Sequence, residues 1–203
     1  MVTVVSHAGI ANRIKNLLSA MAQHGDVSTL HDTISFIFPS LKKVEKVEEE
    51  YPEDWRLYVS SEEEKHIPDY KTIDLLYEKT PEYFVKKYLD IIHNLKINSE
   101  IIEYVSEFTD AWDDMVGVHI RSQIDKLSKD KKFFFCSDNS DVQQHFLDKY
   151  GDRVVTYERQ IFNDPKLAES GHHDDIQLTT DAFIELLILS KCATIIGTYA
   201  SSF

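Results

Sequence analysis

Arg121 closes the run Met115-Val116-Gly117-Val118-His119-Ile120-Arg121. A guanidinium is permanently charged and planar, and it grips a phosphate or diphosphate through two parallel hydrogen bonds. A structural ion pair with a carboxylate uses the same fork, so the residue alone leaves both readings open. Val116, Val118 and Ile120 are β-branched, and an apolar run of this length fits a buried strand of a parallel sheet. Arg121 then stands at the strand's carboxyl end, where open α/β sheets bind their ligands.

A second group lies near the amino end. Val2, Val4 and Val5 form a strand-like run, Gly9 makes a turn, and Ile14, Leu17, Leu18 and Met21 follow at helical spacing. Strand, turn and helix open a wound α/β domain, and the turn brings Asn12 and Arg13 to the helix amino terminus, facing the crevice. The alternative is an ordinary strand-to-helix turn with a solvated arginine. His172-His173-Asp174-Asp175 is rich in ligand types, but neighbouring side chains in a loop rarely converge on one ion, so a polar surface loop without metal is expected. The chain contains no Gly-x-Ser-x-Gly, Walker-type loop or Cys-x-x-Cys pair.

The elements that must carry these residues can be read in order. Residues 33–38 (Thr-Ile-Ser-Phe-Ile-Phe) read as a second strand stopped by Pro39. Residues 42–65 are dense in charge, a solvated face or loop, with a possible strand at 55–59. Thr80-Pro81-Glu82 starts a helix carrying Phe84, Tyr88, Ile91, Ile92 and Leu95, and Asn98-Ser99 starts another through Ile101, Ile102 and Val105. Both read as filler between halves. After Arg121 come a polar loop (122–132), a strand (133–136), a helix ended by Gly151, a strand (153–157), a polar loop, an apolar helix (179–191) and a last strand (193–199). Alternation of strand and helix implies parallel sheets. The division falls near residues 109–114, giving domains 1–112 and 113–203.

Composition bounds the function. The chain is globular, with 203 residues, 42% of them hydrophobic. Its 22 Lys+Arg against 35 Asp+Glu give a formal charge of -13, which argues against nucleic acid and anionic membranes as partners. A diphosphate remains possible, because a few arginines and backbone N–H groups hold one within an acidic protein. Cys136 and Cys192 lie in or beside apolar segments and read as reduced thiols. With no signal peptide or membrane-length run visible, the expected location is cytoplasmic.

Four segments in order resemble one family, the fucosyltransferases related to nodulation and α-1,6 core fucosyltransferases and to protein O-fucosyltransferases. The turn Gly9-Ile10-Ala11-Asn12-Arg13 resembles their Gly-x-x-Asn-Arg or Gly-x-x-Asn-Gln turn. His119-Ile120-Arg121 resembles their His-x-Arg motif, and Phe135-Cys136-Ser137-Asp138-Asn139 a strand ending in a Ser/Thr-Asp pair. Residues 185–190 followed by Gly197-Thr198-Tyr199-Ala200-Ser201-Ser202-Phe203 are similar to their last shared motif.

The resemblance implies a GT-B-like architecture of two small Rossmann-like α/β domains with mainly parallel sheets, acceptor-side first and nucleotide-sugar-binding second. It implies an inverting, metal-independent transfer of L-fucose from GDP-fucose to a saccharide hydroxyl, with no cofactor beyond that donor. Arg121 would hold the β-phosphate. Thr198, Ser201, Ser202 and Phe203 would line the diphosphate loop, Glu185 would accept the N–H groups of guanine, and His119 would contact the nucleotide or orient the loop. Asn12 would orient the acceptor hydroxyl or the phosphate, and Asp125 is the local candidate for a base. Relatives place an aspartate one position earlier than Asp125, and core-fucosylating ones a glutamate farther along, where this chain is lysine-rich. A non-catalytic nucleotide- or glycan-binding relative is the alternative. The acceptor, linkage and oligomeric state are not legible.

Overall fold

A computed structural model describes residues 2–5, 9–45, 58–61, 82–119, 131–137, 139–158 and 175–197, with backbone alone for residues 2, 5, 58–61 and 82–84. The chain divides into two compact units. Among the described residues, the first holds 2–101 and 175–179 and the second 102–158 and 180–197.

In the first unit, β1 (Val2–Val5) leads through the Gly9 turn into α1 (Ile10–His24), followed by β2 (Val27–Thr29), α2 (Asp32–Ile37), β3 (Lys42–Lys43), β4 (Tyr58–Ser61) and α3 (Glu82–Asn94). The sheet order is β3-β2-β1-β4, parallel except that β4 runs antiparallel beside β1. Residues 33–38, expected as a strand, are instead helical. Their buried members Thr33, Ile34, Ile37 and Phe38 recur every three or four residues, whereas Phe36 is exposed. The true second strand, Val27-Ser28-Thr29, escaped notice because it has a single apolar residue. Its polar side chains are buried by pairing, with Thr3 and Ser28 hydroxyls 2.9 Å apart.

The helix expected as filler, α3, belongs to this unit's core. Tyr88 packs with Leu18 and Ala22 of α1, flanked by Ile14 and Ile91, and its hydroxyl lies 2.7 Å from the buried Ser19 hydroxyl. The expected strand at 55–59 is represented by Tyr58 and Val59 in β4, while residues 55–57 lie outside the described residues.

The second unit opens with most of α4 (Ser99–Thr109), whose first residues, 99–101, count with the first. Its elements are β5 (Val116–His119), β6 (Phe133–Cys136), α5 (Ser140–Tyr150), β7 (Val154–Val155), α6 (Ile176–Ser190), whose first turn counts with the first unit, and β8 (Thr194–Gly197). The sheet is wholly parallel, ordered β7-β6-β5-β8. Read in chain order this is 3-2-1-4, the arrangement of a Rossmann-like sheet with its switch point between the first strand and the fourth.

Alternation along the strands sends side chains to opposite faces. Val118, Phe133 and Phe135 pack with Phe146 of α5 and with Val154, and the rings of Phe135 and Phe146 stack at 4.2 Å. On the other face Phe134 meets Phe108 and Trp112 at 6.1 and 5.6 Å. Gly117 there faces α6 so closely that an added Cβ would stand 2.8 Å from Leu189 Cδ2. The expected strand at 153–157 shrinks to two residues, because Gly151–Arg153 form a 3-10 turn before it.

Candidate functional site

In a sheet of this order the crevice opens beyond the carboxyl ends of the strands that flank the switch point. Those ends are His119 on β5 and Gly197 on β8, which stand opposite each other in register. On one side β5 is held by β6, whose three phenylalanines and cysteine are all buried, whereas on the other β8 is largely exposed, with Ile195 at 54%. His119 is half-buried and takes the same face as Gly117, the face covered by α6. Arg121 and Asp125 follow His119 in sequence, and Thr198, Ser201, Ser202 and Phe203 follow Gly197, but all six lie outside the described residues.

Glu185 is described. It sits on α6 at 3% exposure, and Asp181, one helical turn earlier, is equally buried. Tyr157, two residues beyond β7, donates its hydroxyl proton to Asp181 Oδ1 at 2.9 Å. Burial raises the Tyr157 pKa well above the ordinary phenol value, and hydrogen bonding to Asp181 adds to that, as do the charges of Asp181 and Glu185. The hydroxyl therefore acts as a proton donor at every physiological pH. Tyr104 meets the Tyr157 ring edge-on at 5.7 Å, and its own pKa is raised by burial and by the charges of Glu158 and Asp181. The neighbouring Thr180 Oγ1 is buried and has no hydrogen-bond partner among the described residues.

Sequence reasoning singled out Glu185 and missed Asp181 and Tyr157. A signal existed: two acids four residues apart in an otherwise uncharged helix point to one face.

In the first unit, α1 begins at Ile10 with Gly9 as its N-cap, so Asn12 and Arg13 lie inside the first turn. Asn12 is half-buried. Arg13 is not the solvated residue of the alternative reading: at 2% exposure it is among the most buried side chains, with Nη1 3.5 Å from His31 Nδ1. The donated proton makes Nδ1 of His31 the acceptor. His31 is itself held just beyond β2, where its backbone N–H donates to Thr29 Oγ1 at 3.1 Å.

Of the acid and histidine cluster at 172–175, Asp175 alone is described. It is exposed and caps α6, accepting the Leu178 N–H at 2.9 Å. Among the described residues no group of three or more His, Cys, Asp or Glu is arranged to hold a metal ion. Ser137 is buried, its hydroxyl accepting the Asn139 N–H at 3.2 Å, and Asn139 caps α5 by accepting from Asp141 and Val142; Asp138 lies outside the described residues. Both cysteines are free thiols, Cys136 buried and Cys192 half-buried. No helix among the described residues is long and apolar enough to cross a membrane. A cleft of about 560 Å³ in the first unit is lined by Met21, Val27, Leu41, Lys42 and Ile91 among others. It lies where β2 and β3 begin, not at their carboxyl ends.

Two Rossmann-like units with mainly parallel sheets define a GT-B-like, glycosyltransferase-like fold, and solved structures of the same kind exist. The chain aligns over 96% of its length with 86% of the α-1,6-fucosyltransferase NodZ soaked with GDP-fucose, at 14% identity and a TM-score of 0.54. It aligns to the same extents with the selenomethionine fucosyltransferase NodZ from Bradyrhizobium, at 15% identity and TM-score 0.54. A match to NodZ co-crystallised with GDP is partial, covering 61% of this chain and 44% of that one, at 20% identity and TM-score 0.42. No protein-family profile and no curated protein matches the sequence.

Proposed function

We propose that the protein is an inverting, metal-independent glycosyltransferase that moves L-fucose from GDP-fucose to a saccharide hydroxyl. One observation carries the reading: the two strands whose carboxyl ends flank the switch point, β5 and β8, are those that Arg121 and residues 198–203 follow in sequence. The fold shared with NodZ, soaked with GDP-fucose in one structure, agrees with it.

In this mechanism the bond between fucose C1 and the β-phosphate oxygen breaks as the acceptor oxygen approaches from the opposite face. The electron pair departs with the diphosphate. Arg121 neutralises that charge, while Thr198, Ser201, Ser202 and the N–H groups of the loop through Phe203 donate to its oxygens. These groups do the work that a divalent ion does elsewhere. Glu185 accepts the N–H donors of guanine, and His119 orients the strand end. Asn12 aligns the acceptor hydroxyl or the phosphate. The proton leaves to Asp125 or, when C1–O cleavage runs well ahead of attack, to water. Residues 1–112 serve the acceptor side and 113–203 the donor side. The protein works in the cytoplasm, where its two thiols stay reduced.

The test is GDP release from GDP-fucose, with and without saccharide acceptors, in the presence of EDTA. Turnover that survives chelation and vanishes in a folded Arg121→Ala variant is expected. Turnover lost in EDTA and restored by manganese or magnesium would overturn the metal-independent mechanism, and absence of both GDP binding and turnover would overturn the assignment.

A further inference from the structure

The buried polar group beside Glu185 has no role in the mechanism above. Asp181 and Glu185 lie one turn apart on α6, each 3% exposed. Two carboxylates so placed repel, and more strongly away from water. The Tyr157 hydroxyl, 2.9 Å from Asp181 Oδ1, ties Asp181 to the chain just beyond β7. Tyr157 is itself 8% exposed, and its ring is held edge-on by Tyr104 at 5.7 Å and Phe108 at 6.5 Å. Its rotamer is therefore set by packing before any ligand arrives.

We propose that Tyr157 and Asp181 are positioning residues for base recognition, fixing α6 so that Glu185 presents its carboxylate to the N–H edge of a guanine-type base. The inference rests on the reading of Glu185 as the base acceptor. Asp181 acts by accepting the Tyr157 proton, which draws its charge away from Glu185 and locks the turn between the two acids. The role requires a hydrogen-bond acceptor at position 181, not a negative charge there. A carboxamide oxygen serves equally well.

The experiment is titration calorimetry of GDP, IDP and ADP against the whole chain and its Tyr157→Phe, Asp181→Ala and Asp181→Asn variants, each with a melting curve. IDP lacks the exocyclic amine of guanine, and ADP lacks both N–H donors of that edge. The unmodified protein is expected to prefer GDP over both. Tyr157→Phe and Asp181→Ala lower that preference about three- to tenfold, the net size of one hydrogen bond, with ADP affinity unchanged. Asp181→Asn retains most of it. A purely structural role would weaken all three nucleotides alike and leave the ratio constant. A preference intact in Tyr157→Phe overturns the positioning role while leaving Glu185 as base acceptor. A loss in Asp181→Asn as deep as in Asp181→Ala overturns it too, because charge would then be what matters. Equal binding of GDP and ADP by the unmodified protein removes the Glu185 reading and this inference with it. Should Asp181→Ala fail to fold, Tyr157→Phe and Asp181→Asn, which keep the side-chain volume, decide alone.

Discussion

Arg121 and Asp125 divide the catalytic work unequally in the proposed mechanism. An arginine that neutralises the leaving diphosphate acts mainly in the transition state, so its removal lowers turnover even at saturating donor. A general base contributes about 10²–10⁴-fold where deprotonation is needed early. With an oxocarbenium-like sugar the need is smaller, so Asp125→Asn is expected to retain more than a few per cent of activity and Arg121→Ala almost none. Paired turnover measurements decide it: a loss in Asp125→Asn matching Arg121→Ala would install Asp125 as the base. Cys192 offers a prediction independent of function. Burial pushes its thiol from 9 up to about 11, so at pH 8 its alkylation by iodoacetamide, followed by mass spectrometry, is expected to lag far behind that of the unfolded chain. The linkage has a definite sign. The unfolded thiol loses its proton first, so the thiol's stabilising contribution is full below about pH 9 and is lost as the pH rises toward 11.

At the scale of elements, close approach of α6 to β5 is possible because residue 117 has no side chain. A Cβ there would stand 2.8 Å from Leu189 Cδ2 and 3.1 Å from Cys192 Sγ, and both belong to the packed face of the sheet. Gly117→Ala is expected to cost about 1–3 kcal/mol, the usual size of overpacking, read as a lower denaturation midpoint with unchanged slope. Asn139→Ala removes two accepted N–H bonds at the start of α5 and is expected to cost about 1 kcal/mol by the same measurement. The elements legible in the sequence were those whose period was carried by apolar residues, such as β5, β6, α1 and α5. Val27-Ser28-Thr29 was illegible because its buried face is polar and hydrogen-bonded, which no hydrophobic pattern records. Residues 33–38 misled because six apolar-rich residues satisfy a strand and a helix alike. Glu185 could be singled out by motif, whereas the hydrogen bond from Tyr157 to Asp181, one turn away, spans 24 residues and three-dimensional packing alone reveals it. Arg13 was visible as a residue, but its burial beside His31 depends on a strand end that the sequence did not announce.

Among the described residues the first unit has a core cluster on α1 and α3, and the second has its own on β5, β6 and α5. Separate cores allow separate openings, and hydrogen exchange reads each one as the free energy of its own unfolding. A ligand that binds one unit slows exchange there by mass action, about 2.7 kcal/mol at a hundred times its dissociation constant, and leaves the other unit's amides unaffected. If the donor belongs to the second half, saturating GDP is expected to slow the amides of β5 and β6 while those of β1 and β2 exchange as before. A net charge of -13 makes nonspecific attraction of an anion a poor rival explanation, because the mean field repels GDP and any protection must come from a local site. Protection appearing in β1 and β2 instead would reverse the assignment of donor and acceptor halves. Equal protection in both would mean that the units open together and that ligand energy is shared between the two cores.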